Sequence, residues 1–208
     1  MEDKKFDITS TAIEKGIDLI GGFIEKLAGS ALEEAGLYFG DKVRVRRLKN
    51  QIEIFSKAKQ IAEENNISIK QIDLKILVPL LEFSSLEEDE TLQQKWSNLI
   101  VSFSDASENY ESSIFPFILN QLTKDDIEEL ELLYHNGYYR YSPKLNSTGI
   151  VKANLTRLGL VELSIHPHTN IPKNNFYQIT ELGYEFYKCC TRDKNINEPV
   201  QTPYYFNK

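Results

Sequence analysis

The feature that most constrains the fold is an apolar stripe in the first half of the 208-residue chain. Its members recur at spacings of four, three, three and four residues: Leu48, Ile52, Phe55, Ala58 and Ala62. This spacing places them on one face of an α-helix, because a helix completes a turn in about 3.6 residues. The stripe therefore predicts a long amphipathic helix, and the pair Asn65-Asn66 marks its end.

A second helical pattern lies near the N-terminus. Ile8–Leu27 repeats isoleucine at helical spacing, but glycines at positions 16, 21 and 22 interrupt it, each lowering helix propensity by about 1 kcal/mol relative to alanine. We expect a packing helix that is either bent or divided in two. A helix at a membrane surface is the alternative, which is disfavoured because the polar face is not strongly basic.

Two local signals predict helix starts around residue 80. Pro79 stands in a run of apolar residues, and proline fits the first turn of a helix better than its middle. Ser85 and Glu88 have the spacing of a capping box, in which both side chains bind the open N–H groups of a helix start. We therefore expect Pro79 in a first turn, and a further helix that Ser85 caps and that buries Trp96 in the core.

The last third of the chain has a different pattern. After a polar stretch, short helices precede two expected strands, Leu160–Ile165 and Phe176–Ile179, and a final helix that Thr180 caps. Helices followed by a two-stranded wing and another helix resemble a winged-helix domain. The predicted fold class is mainly α, with three parts: a helical domain over residues 1–104, a winged-helix-like α+β domain over 112–190, and a disordered tail over 191–208.

Composition indicates a cytoplasmic protein. The formal net charge is −7, whereas a dedicated nucleic-acid binder usually has a basic balance. Cys189 and Cys190 are adjacent and too close for an unstrained disulfide, so the cysteines fit a reducing compartment. The N-terminus has no secretory signal, and the apolar stretches are shorter than a membrane span.

The sequence offers little for catalysis. It has no glycine-rich phosphate loop, no zinc-ligand spacing and no nucleophile elbow. His166 and His168 lack the further ligands, one helical turn apart, that a metal site would need. No carboxylate pair stands out from the solvated faces. We therefore predict a protein that is not an enzyme and that uses no metal or cofactor.

Two groups of polar residues are candidate contact sites. The candidate contact surface on the long helix comprises Arg44, Arg46, Arg47 and Lys49. It could meet an acidic partner or phosphate, and the alternative is a solvated face that pairs with the chain's own acidic segments. The candidate nucleic-acid contacts, on the expected recognition helix, are Lys152, Asn154 and Arg157. The positive charge around them is small for holding DNA phosphates.

Three blocks of sequence carry a resemblance to a known family. They are Gly36–Val43, Val78–Glu82 and Leu92–Leu99. On these blocks, residues 34–105 are similar to the Abi-alpha family, phage abortive-infection proteins of bacteria. That family has no established catalytic residues, so none is transferred to this chain. The resemblance implies a role in defence against phage rather than a reaction.

Three functional hypotheses follow. The first is an anti-phage defence component that acts without catalysis through protein contacts, with a partner or as a homodimer. The second is a winged-helix regulator that binds DNA. The third is a membrane-active effector that uses Ile8–Leu27, although its weakly basic polar face disfavours a membrane partner.

Overall fold

The chain is mainly helical with a small antiparallel sheet, as the sequence predicts. The computed structural model describes residues 10–29, 45–110, 112–136, 140–141, 149–165 and 172–192. The helices are α1 (Ser10–Ala28), α2 (Val45–Glu64), α3 (Leu74–Ser84), α4 (Glu90–Ser104), α5 (Phe115–Leu119), α6 (Lys124–Asn136), α7 (Gly149–Arg157) and α8 (Glu181–Thr191). The strands are β1 (Arg140–Tyr141), β2 (Val161–Ile165) and β3 (Pro172–Ile179).

The chain divides into two compact units, residues 1–120 and 121–208. This division follows α5, whereas the sequence suggested a boundary between residues 104 and 112. Helix α5 belongs to the first unit because its aromatic rings pack there. Phe117 meets Phe83 edge-to-face with centroids 5.1 Å apart, and Phe115 lies 6.2 Å from Phe103. Of the predicted tail, Thr191 ends α8, and residues beyond 192 lie outside the described part.

The core of the first unit is built on the apolar stripe of α2. Ile52, Phe55, Ala58 and Ala62 are all buried, which confirms the predicted amphipathic helix. Asn66 adopts a left-handed backbone with φ 51° just after the helix end, as expected of an asparagine at that position. Trp96 of α4 is fully buried, so its expected role as a core anchor is also confirmed.

Helix α1 is one continuous element rather than two. Gly16 is buried against α2, where an added Cβ would lie 2.9 Å from two carbon atoms of Ile52. A glycine at this position therefore allows the two helices to approach closely. No atom of the described residues lies within 4 Å of a Cβ added at Gly21 or Gly22, so packing among these residues does not require a glycine at either position.

The predicted position of Pro79 is wrong. Helix α3 begins at Leu74, because the Asp73 carboxylate accepts the Lys75 N–H at 2.8 Å and caps the helix. Pro79 therefore lies in the middle of the helix, where it removes one backbone hydrogen bond. Four buried neighbours hold the helix in place around it: Ile76, Leu77, Leu80 and Leu81. Burial of these side chains offsets a proline cost of about 3 kcal/mol, since each contributes about 1.5–3 kcal/mol.

The predicted capping box at Ser85 is also wrong. Asp89 caps α4 instead, because its carboxylate accepts the N–H groups of Thr91 and Leu92 at 2.9 and 3.0 Å. Ser85 follows the end of α3, where its hydroxyl donates to the Glu82 carbonyl at 2.5 Å. Asp89 is the one residue of the acidic run Glu87–Glu90 whose type is preferred at an N-cap, because aspartate is favoured there and glutamate is not.

The second unit contains the predicted strand pair and a third strand. Strands β2 and β3 pair antiparallel, with Val161 opposite Ile179. The short β1 joins the other edge of β3, giving the order β1-β3-β2. Two residues are too few to show an alternating pattern, which is why the sequence did not predict β1. Thr180 caps α8 as expected, with its hydroxyl accepting the Gly183 N–H at 3.0 Å.

Candidate contact surface

The basic residues of the predicted contact surface lie at the start of α2. Helix α2 begins at Val45, so Arg44 lies outside the described residues. Arg46 forms an ion pair with Glu88 and has a side chain that is 74% exposed. Lys49 pairs with Glu53 one turn away, at 3.5 Å. Exposed pairs such as Arg46–Glu88 contribute about 0–1 kcal/mol, so Arg46 adds little to stability, whereas the Lys49 and Glu53 side chains are only 36% and 32% exposed.

Arg47 has a different role, because it reaches the end of α3. Its Nε donates to the Ser85 hydroxyl at 2.8 Å, and its Nη2 lies 3.4 Å from the Glu82 carbonyl oxygen. The last carbonyls of a helix have no N–H donor within the helix, and a positive charge there is favoured by the helix dipole. Arg47 therefore caps α3 from a neighbouring helix.

Two further α2 side chains bind the same helix end. Asn50 donates to the Ser85 carbonyl at 3.1 Å, and Gln51 donates to the Leu81 carbonyl at 2.9 Å. Both side chains are buried. We call Arg47, Asn50 and Gln51 the α2 clamp. Asn50 and Gln51 were not among the predicted contact residues, although two amide side chains beside the apolar face of a helix indicate hydrogen bonds to backbone groups.

Lys152, the first candidate nucleic-acid contact, lies on α7 above an aromatic ring. Its ammonium is 5.4 Å from the centre of the Tyr177 ring on β3. A cation over a ring face at this distance is attracted by about 0.5–1 kcal/mol at an exposed site. The contact helps to hold α7 against the sheet.

Asn154 and Arg157 join α7 to the start of α6. The Asn154 amide donates to the Gln121 carbonyl at 3.0 Å and to the Asp126 carboxylate at 3.2 Å. Arg157 donates to the Gln121 side-chain oxygen at 3.0 Å and to the Asn154 side-chain oxygen at 2.7 Å. The structure thus brings these two candidates together in one internal network. Base or phosphate contacts by either residue would compete with these bonds.

An exposed apolar patch lies at the end of α3 and along α5. We define it by Phe83, Leu86, Ile114 and Phe117. The exposed fractions are 56% for Leu86, 48% for Ile114 and 47% for Phe117, and Phe83 is half-buried. The two phenylalanine rings are in contact, Leu86 closes a turn on the Phe83 carbonyl at 3.0 Å, and Ile114 and Phe117 are helical neighbours.

No pattern in the sequence predicted this patch. Its members come from two helices separated by about thirty positions, so no local period contains them all. The one local signal is the spacing of Pro79, Phe83 and Leu86 by four and three residues, which would put them on one face of a helix, whereas α3 ends at Ser84, before Leu86.

Tyr187 occupies an aromatic cluster in the second unit. It is buried with its ring centre 4.6 Å from that of Tyr134, and Tyr134 in turn stacks on Tyr184 at 4.9 Å. Burial, and then the nearby Glu131 carboxylate, raise the pKa of Tyr187 well above its ordinary value of 10.0. The phenol therefore stays neutral and works as a packing group.

The described residues contain no cluster of three or more histidines, cysteines or carboxylates that could hold a metal ion. Nor does any helix in the described ranges have the length and apolar character needed to cross a bilayer. A half-open cavity of about 310 Å³ lies in the first unit, with Lys70, Lys75, Phe103 and Tyr110 among its lining residues. This volume is at the lower end for small-molecule sites.

Comparison with known proteins gives one family. A family model described as Abi_alpha, abortive infection alpha, matches residues 40–152. The match covers more than half of the chain and includes both the α2 clamp and the apolar patch. Searches of curated proteins and of solved structures found no significant match.

Proposed function

Because the chain belongs to the abortive infection alpha family, we propose that it serves phage abortive infection as a component that acts through protein contacts and without catalysis. The family description supports the role in abortive infection. The mode of action is supported mainly by the apolar patch.

The apolar patch supports protein contact because large apolar side chains rarely cluster at a surface without reason. Contiguous exposed apolar groups are typical of interaction sites, and aromatic residues are enriched in interface cores. Here two phenylalanines, a leucine and an isoleucine present such a surface in one compact unit. The polar candidates behave differently, since Arg47, Asn154 and Arg157 all bind groups of their own unit.

A plaque assay tests this function. Bacteria that express the full chain should reduce the plating efficiency of a sensitive phage relative to cells with an empty vector. The double substitution Leu86→Ser, Phe117→Ser should abolish most of that protection, because it removes apolar area from the patch. Leu163→Ser changes an exposed leucine on β2 in the second unit and should leave protection intact.

Circular-dichroism melts of the purified variants establish that the double variant is still folded. Full protection by a folded double variant would argue against contact through the patch. Equal plaquing on expressing and control cells for every phage tested would argue against the role in abortive infection.

A further inference from the structure

We propose that the apolar patch binds an amphipathic helix of a partner protein, and that lysine or arginine residues flank the apolar face of that helix. The inference rests on the proposed function and adds the chemistry of the partner. It follows from the shape of the patch and from the charge around it.

The shape of the patch suits a helix. Phe83 and Leu86 lie three residues apart at the end of α3, and Ile114 and Phe117 lie three residues apart at the start of α5, a spacing that puts side chains on one side of a helical turn. The Phe83 and Phe117 rings are in contact at an interplanar angle of 72°, which joins the two pairs. Two apolar pairs joined in this way can receive side chains at positions i, i+4 and i+7 of a bound helix, as in helix-in-groove recognition.

The charge around the patch is negative. The segment from Glu82 to Glu90 contains five carboxylates and no basic residue: Glu82, Glu87, Glu88, Asp89 and Glu90. On the other side, residues 112–121 carry no charged side chain.

The cations of α2 do not cancel this charge. Three of them lie near the acidic segment: Arg46 at Glu88, Arg47 at the end of α3, and Lys57, which donates to the Gln93 side chain that itself bonds the Glu87 carbonyl. Five negative and three positive charges leave a balance of −2. A partner with basic residues beside its apolar face would therefore be electrostatically complementary.

The same charge disfavours a second copy of the chain at this site. In a two-fold symmetric contact each patch meets the identical patch of the other copy. The acidic segments of both copies would then approach each other, and like charges at an interface reduce affinity. A different protein with a basic amphipathic helix avoids this repulsion.

Fluorescence anisotropy with two synthetic peptides tests the inference on the purified full chain. Both peptides have about 18 residues and the same leucine and phenylalanine positions, and their flanking residues are lysine in one and glutamate in the other. We expect the lysine peptide to bind at least about tenfold more tightly, with a difference that shrinks as salt screens the charges. Leu86→Ser, Phe117→Ser should weaken its binding about tenfold, and Leu163→Ser should not change it.

Charge variants separate the two parts of the inference. Glu82→Lys, Glu87→Lys should remove or reverse the preference for the lysine peptide while leaving the apolar contact. Equal binding of both peptides to the wild-type chain, or binding of neither, would overturn the inference. So would light scattering that shows a dimer dissociated by Leu86→Ser, Phe117→Ser, since a second copy would then occupy the patch.

The two proposals fail in different ways. If the patch substitutions abolish phage protection but the chain binds the lysine and glutamate peptides equally, the proposed function through protein contact stands. The proposed basic character of the partner helix is then wrong. If the lysine peptide binds as expected but a folded patch variant still protects against phage, the binding chemistry stands and the functional role of the contact is wrong.

Discussion

At the scale of single residues, two buried serines show how local context decides the value of a hydroxyl group. Ser84 and Ser97 are both fully buried. The Ser97 hydroxyl bonds to the carbonyls of Ile54 and Gln93, at 3.0 and 2.9 Å. The Ser84 hydroxyl has no hydrogen-bond partner within the described residues. A buried polar group destabilises the fold unless it is hydrogen-bonded.

The two serines should therefore respond in opposite directions to alanine. Ser84→Ala should raise the free energy of unfolding by about 1 kcal/mol, because it removes an unbonded hydroxyl. Ser97→Ala should lower it by about the same amount, because it leaves two carbonyls with one donor fewer. Urea unfolding of the two variants checks this. A loss of stability in Ser84→Ala equal to that in Ser97→Ala would contradict it.

The raised pKa of Tyr187 predicts that the stability of the fold depends on pH in the alkaline range. Its pKa is raised in the folded state, so the unfolded chain releases the phenol proton first as pH rises. The stabilisation is complete below pH 10 and is lost progressively above it, with a slope of up to about 1.4 kcal/mol per pH unit. The melting temperature of the wild-type chain should thus fall more steeply between about pH 9.5 and 11 than that of Tyr187→Phe. Parallel curves would show that Tyr187 does not cause the loss.

At the scale of elements, two glycines of helix α1 differ in what surrounds them. Gly16 lies where α1 meets α2, and an added methyl group would contact Ile52 too closely. A Cβ added at Gly22, in the same helix, would meet no atom of the described part of the chain within 4 Å. The helix propensity of the residue is equal at both positions, so only the packing differs.

Alanine substitutions should therefore diverge along α1. Gly16→Ala should destabilise the chain by about 1–3 kcal/mol through overpacking against Ile52. Gly22→Ala should stabilise it by up to about 1 kcal/mol through helix propensity. Denaturant midpoints measure both effects. If Gly16→Ala is as stable as Gly22→Ala, then α1 and α2 are far enough apart in solution to accept a methyl group at position 16, and the prediction is wrong.

Much of the element-level fold could be predicted from sequence, because periodicity reports burial directly. The face of α2, the buried Trp96 and the strands β2 and β3 all followed from local patterns. The first residues of α3 and α4 were harder to predict. Several residues before each helix could serve as its N-cap, and which one does so depends on the turn that packs against the core. The α2 clamp and the apolar patch join residues about thirty positions apart, so tertiary packing decides them.

At the scale of the whole molecule, the net charge and the hydrogen bonds of the candidate residues both argue against the DNA-binding hypothesis. The chain carries a formal charge of −7, so its overall field repels phosphate. Two of the three candidate contacts on α7 already bind groups near the start of α6. Nor would the predicted winged-helix resemblance by itself imply DNA binding, since winged-helix folds also serve protein contacts.

We therefore expect Arg157→Ala to affect stability rather than DNA affinity. The variant should melt at a slightly lower temperature, with a loss of at most about 1 kcal/mol, because the missing hydrogen bonds are exposed to water. Its binding to duplex DNA at physiological salt should remain as weak as that of the wild-type chain. Gel-shift titration with wild type and Arg157→Ala gives the comparison. Tight wild-type binding that Arg157→Ala abolishes would restore the DNA hypothesis.

The α2 clamp also has a consequence for synthesis on the ribosome. All of its partners lie within residues 47–85, and the chain emerges from its N-terminus. The clamp can therefore close soon after the end of α3 leaves the exit tunnel, while the second unit has still to be translated. The carbonyls at the end of α3 can then gain their donors before α5, which carries Phe117 of the apolar patch, has been translated.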